Sequence, residues 1–211
     1  MTEIEKARKI MGKNIIGPEE LKVVPRLAVQ IPASVSLVPY DANLLKRLSE
    51  SHLLIFFTRE HADGSPLTIM SLRSRFGIDP EASEPCFYNQ DWYIREDFAT
   101  KAMLKNRWYL IRKDVDPKSR AKLPEDIKKS FSLNEKFPSA ILTAYAFFAY
   151  HLLTGKKIWE DDFVWTSDAD HNGDRIYVGR YKDLEGVNKN GFNIHRHLRI
   201  RKMYGAAPLL Q

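Results

Sequence analysis

The run Ala140-Ile141-Leu142-Thr143-Ala144-Tyr145-Ala146-Phe147-Phe148-Ala149-Tyr150-His151-Leu152-Leu153 is apolar on nearly every side when wound as a helix. Ser139 offers an N-cap hydroxyl before it and Gly155 a natural stop after it. Such a helix is stable in water only when neighbours cover all its faces. It falls short of the ~20 apolar residues needed to cross a bilayer, and it carries Tyr145, Tyr150 and His151. It is therefore read as a central core helix around which the rest of the chain must be built, with no membrane partner.

Strands are expected on both sides of it in the sequence. His52 to Thr58 is a near-continuous apolar run, the pattern of a strand covered on both faces. Arg107 to Arg112 reads as a second strand, followed after the core helix by Ile158 to Thr166, Arg175 to Tyr181 and Phe192 to Ile200. The N-terminal part is helical. Thr2 and Glu5 have capping-box spacing ahead of a helix to Met11, Pro18 opens a second helix, and Asp41 caps Ala42 to Ser49. Further helices are predicted over Leu67 to Phe76, Glu96 to Lys105 and Pro124 to Lys129, and the last ten or so residues are expected to fray. Helices, isolated strands, a core helix and then a run of strands make an α+β pattern without βαβ alternation. The expected architecture is one domain over residues 1–211: an antiparallel sheet packed around the apolar helix, with short N-terminal helices outside. The charged stretch Pro117 to Leu133 is not read as a boundary, because the strands before it need the C-terminal hairpin to complete a sheet.

Of 211 residues one is cysteine, so no intrachain disulfide can form. Cys86 has no flanking nucleophile motif and is expected to be a buried thiol. The charged amino terminus lacks an apolar h-region, which suggests a cytoplasmic protein. There is no G-x-S-x-G elbow, Walker A loop, G-x-G-x-x-G or H-E-x-x-H, so the common hydrolase, nucleotidase and metalloprotease signatures are missing.

Three phrases, Ala7 to Asn14 with Gly17-Pro18-Glu19-Glu20, Gln90-Asp91-Trp92-Tyr93 and Trp108 to Lys113, resemble a family of small bacterial and phage-associated proteins. The hairpin from Ser167 to Gly179 is similar too. The resemblance covers most of the chain and implies a single unit. No activity is attached to that family, so it transfers no functional residue.

Asp168, Asp170, Asn172 and Gly173 match the first half of an EF-hand loop, but position 12 is Gly179 instead of a bidentate Glu and a strand replaces the exit helix. A tight polar hairpin turn fits better. Beyond it, Arg196, Arg199, Arg201 and Lys202 form a basic C-terminal strand that would neutralise phosphates, with Phe192, Tyr177 or Tyr181 available to stack on bases. The leading reading is a non-enzymatic binding or accessory protein that contacts nucleic acid there. A second reading is a metal-dependent enzyme: His195 and His197 share one strand face and, with Asp168 or Asp170, offer a two-histidine, one-carboxylate ligand set for a divalent metal cofactor. A third is a structural module whose aromatic clusters, around Phe87 to Tyr93 and at Trp108-Tyr109, bind another protein.

Overall fold

The computed structural model describes residues 2–184, 186–197 and 200–211. Capping chemistry sets most helix starts. In α1 (Glu3–Met11) the Glu5 amide donates to Thr2 Oγ1 at 3.2 Å and the Thr2 amide donates back to the Glu5 carboxylate. β1 (Ile15–Ile16) leads into α2 (Pro18–Lys22), which has proline in its first turn. Asp41 accepts from the Asn43 and Leu44 amides, both at 2.9 Å, at the head of α3 (Ala42–Leu48). β2 (His52–Phe57) is buried at every position, as its apolar run requires. α4 (Ile69–Phe76) is capped by Thr68 and stops at Gly77, whose φ of 71° suits glycine.

The later elements are shorter than the sequence predicts in several places. α5 (Asp97–Thr100) is a single turn, and Asn106 beyond it accepts the Arg59 amide. β3 (Arg107–Arg112), α6 (Pro124–Ser130) and β4 (Glu135–Lys136) precede α7 (Ala140–Thr154), the apolar helix. Ser139 caps α7 through the Leu142 amide at 3.3 Å, and Gly155 closes it in the left-handed conformation. β5 begins only at Phe163 (Phe163–Ala169), because Trp159 sits at φ 54° and Asp162 is clamped by Arg120 at 2.6 and 2.7 Å. β6 (Arg175–Gly179) pairs with it as the expected hairpin. β7 (Asn193–His195), β8 (Tyr204–Gly205) and β9 (Leu209–Leu210) complete the strands.

The fold is α+β, but its strands form two mixed sheets and not one antiparallel sheet. The first has the order β1-β2-β3-β9-β4 and the second β7-β6-β5-β8. The parallel pairs, β1 with β2 and β5 with β8, each use a two-residue strand that carries no readable period. α7 lies between the sheets. Its Tyr145 ring is 4.5 Å from Phe57 of the first, while Phe147 packs on Tyr181 and Phe192 beside the second.

Alternation along the hairpin makes a second, smaller core. Val164, Ile176 and Val178 face α7, while Phe163, Trp165 and Tyr177 face away and are covered by Ile127 of α6, Phe137 and Tyr204. Both faces of the second sheet are thus dry in the middle.

The C-terminal residues do not fray. Leu209 and Leu210 pair with Ile111 and Leu110 on one side and with Lys136 and Glu135 on the other. The small residues before them permit close approach: a Cβ at Gly205 would lie 2.5 Å from Val115 Cγ1, and Ala206 and Ala207 are fully buried.

Gly191 holds a similar close contact. The Gly191 amide donates to Tyr181 O, and Phe192 exchanges backbone hydrogen bonds with Cys86 and Tyr88. A Cβ at Gly191 would meet Tyr88 backbone atoms at 2.4 Å, with no flexible side chain to give way. Gly191→Ala should cost about 1–3 kcal/mol, read as a lower urea midpoint at unchanged slope; an unchanged midpoint would mean the two segments separate freely.

Candidate functional site: a basic cleft between the sheets

Two successive same-face positions of β3 begin the site, Arg107 and Tyr109. Opposite them stand Lys128 of α6, Lys136 of β4 and Arg175 of β6, with Phe131 and Phe137 as aromatic walls. The cleft between them measures about 570 Å³, within the usual range for a small-molecule site. Ser139 at the head of α7 and Ser167 of β5 line its inner end, where the Ser167 amide donates to Pro138 O at 2.8 Å and fixes the hairpin to the helix start.

The cations there are poorly neutralised. Arg107, Lys128 and Lys136 make no salt bridge among the described residues, and the Arg107 guanidinium instead lies 4.7 Å from the Tyr109 ring centroid. Arg175 is 4.0 Å from Glu125, stacks at 5.1 Å over Phe137 and donates to Thr166 O. Glu135, the carboxylate lining the cleft, is occupied by the Ser132 amide at 2.9 Å. Burial, reinforced by Arg107, holds the Lys136 ammonium below its ordinary range. An anion entering here would relieve unfavourable charge as well as gain hydrogen bonds.

The metal ligands expected from sequence are divided. Asp168 accepts the Ala140 amide at 2.7 Å and serves as a second cap on α7; burial pushes its carboxyl up. His195 turns into an aromatic layer, 5.5 Å from Phe163 and 6.2 Å from Tyr177, and burial together with Arg180 pushes it down to about 4. Asp170 and His197 do meet, joined by Asp174: one ligand atom from each lies within 4.8 Å of the others. His197 Nε2 is 3.1 Å from Asp174. The Asp170 side chain is fully buried and its acceptors are taken, by Arg196 and by the Asn172 and Asp174 amides. Burial opposes its ionisation, but the Asp174 amide and Arg196 outweigh it and hold the carboxyl below its usual range. A cation would have to displace Arg196 from that carboxylate. The turn itself is the tight polar hairpin the spacing favours, with Gly173 at φ 87°.

The basic C-terminal strand is also altered. β7 ends at His195, since Gln90 and Trp92 donate to the Ile194 carbonyl at 2.7 and 2.9 Å and His197 takes φ 61°. Arg196 is held by Asp170 and lies 4.5 Å over Trp92. Arg199 lies outside the described residues. Arg201 and Lys202 are exposed, on a turn and not a strand. The aromatic clusters mostly fill the interior: Phe87, Tyr93, Trp108 and Tyr109 are buried. Cys86 is buried too, with burial pushing its thiol up.

No protein-family model, curated protein or solved structure matches this chain. Among the described residues no helix is long and apolar enough to cross a membrane. Most of the cleft lining comes from the 128–142 segment, but Arg107 and Arg175 lie far from it in sequence, so no motif announces the site; Lys128 falls in the charged stretch Pro117 to Leu133 and Lys136 just beyond it.

Proposed function

We propose that the protein binds a nucleotide-class ligand, phosphate plus planar ring, in the cleft between its sheets. What carries this reading is the convergence of Arg107, Lys128 and Lys136, none with a carboxylate partner among the described residues, on a cavity walled by Phe131 and Phe137. Arginine and lysine recognise phosphate oxygens, and the half-buried Phe131 offers a ring to a base, Phe137 being buried beneath Arg175. In this reading the nucleic-acid contact expected on the basic C-terminal strand, at Arg196, Arg199, Arg201 and Lys202, is assigned to the cleft residues instead. The ligand's chemistry is shared by a free nucleotide and by a nucleotide within a strand.

Fluorescence anisotropy with labelled single-stranded DNA and RNA, competed by mononucleotides across a salt series, tests it. Arg107→Ala with Lys136→Ala should weaken binding at least tenfold and reduce the salt slope by about two phosphate contacts. Competition by mononucleotide would identify the free ligand, and its failure the polymer. Absence of binding by either at low salt, or binding unaffected by the double substitution, would refute the assignment.

A further inference from the structure

Away from the cleft, His61 and Ser71 form a pair that the binding reading does not use. His61 is 1% exposed. Its Nδ1 lies 3.2 Å from the Leu27 carbonyl oxygen, an acceptor, so the ring proton belongs on Nδ1 and Nε2 carries a lone pair. That lone pair is 2.8 Å from Ser71 Oγ. Ser71 Oγ already accepts the Thr68 amide at 2.8 Å, so its own proton must go to His61 Nε2 or to the Thr68 carbonyl at 3.0 Å. The carbonyl has another donor, the Leu72 amide at 3.1 Å. Among the described residues Nε2 has no other donor, so the hydroxyl serves the imidazole. Burial and the charge of Arg75 keep His61 below its ordinary range, hence neutral and able to accept a proton at pH 7.

The arrangement is a hydroxyl, a base and a group that fixes the base's tautomer, the relationship found in activated serine nucleophiles. The pair borders a separate, shallow and open surface depression of about 450 Å³, lined also by Ser65, Ser74 and Arg75. Arg75 stands one helical turn beyond Ser71 on the same face and makes no salt bridge among the described residues.

We infer that Ser71 is a nucleophile with His61 as its base, acting on acyl esters whose anionic group or developing oxyanion faces Arg75. Ser71 Oγ attacks the carbonyl carbon as its proton passes to His61 Nε2. The bond to the leaving alcohol then breaks and that oxygen takes the proton from His61. Water attacks the acyl-serine, giving one proton to His61, which returns it to Ser71 Oγ as the acid departs.

The test is covalent labelling of the full chain with an alkyl fluorophosphonate, read by intact mass and peptide mapping, alongside turnover of p-nitrophenyl acetate. One adduct on Ser71 is expected, absent in Ser71→Ala, present in Ser74→Ala and formed about 100-fold or more slowly in His61→Gln. In the unaltered protein the labelling rate should rise with pH through one group titrating below 6.5, a readout that survives even if a variant fails to fold. Adducts spread over several serines, no adduct, or a rate flat with pH would each overturn the inference.

Discussion

Phe148→Ala is expected to lower the unfolding free energy by about 3–5 kcal/mol, among the largest single-residue effects in the molecule. Phe148 is fully buried on α7, and its ring stacks 4.1 Å from Phe76 of α4 and 4.9 Å from Phe87. It also lies 5.7 Å from Phe192, next to β7. Three segments distant in sequence therefore meet on one ring, and truncating it leaves a cavity that none of them can fill by moving alone. The measurement is urea denaturation by tryptophan fluorescence and far-ultraviolet dichroism together. Coincident transitions at a much lower midpoint are expected. Leu133→Ala, at a fully exposed apolar side chain, should stay within about 0.5 kcal/mol. Equal effects of the two substitutions would contradict the central position of α7.

Acid should destabilise the fold well before its carboxylates are titrated. Burial, assisted by Arg112 across the β2–β3 pair, pushes His52 down to about 4 from 6.5. His195 is pushed to about 4 by burial and Arg180, and His61 and His151 are shifted in the same direction. Because the folded-state values are depressed, the unfolded chain binds more protons between 6.5 and about 4. The associated stability is present above 6.5 and lost as pH falls through that window. Each of the two large shifts corresponds to at most about 3.5 kcal/mol. Asp168 works against this trend, since its carboxyl is raised by burial and its protonation favours the folded state. Urea midpoints from pH 7.5 to 4.5 should fall steadily, and His52→Gln with His195→Gln should flatten the profile. A flat profile in the unaltered protein would mean that both rings accept protons without leaving their sites.

Elements whose cause is local were legible in the sequence. Thr2 with Glu5, Asp41 and Ser139 each satisfy helix amides a few residues on, and those signals depend on nothing distant. The same holds for the hairpin turn, where the Asp170 side chain accepts amides two and four positions along. Elements whose cause is tertiary were not legible. Leu209-Leu210 is a strand only because β3 and β4 leave a slot for it, and Ile15-Ile16 only because β2 has a free edge. β7 is cut short by Gln90 and Trp92, residues a hundred positions away in the chain. The cleft shares that dependence, since Arg107 and Lys136 approach one another through β9, which neither neighbours in sequence. Of the expected site residues, Asp170 and His197 come together because one lies on the turn and the other follows the adjacent strand, whereas Asp168 is consumed by the amide end of α7.

The insertion of β9 between β3 and β4 also bears on solubility. While β9 is in place, the apolar Leu110 and Ile111 offer their hydrogen-bonding edge to Leu210 and Leu209. A copy in which this short strand is displaced would present β3 as an open apolar edge. An open edge of that kind is a template for pairing with another chain, so the two leucines close the edge of β3 as well as contributing to stability.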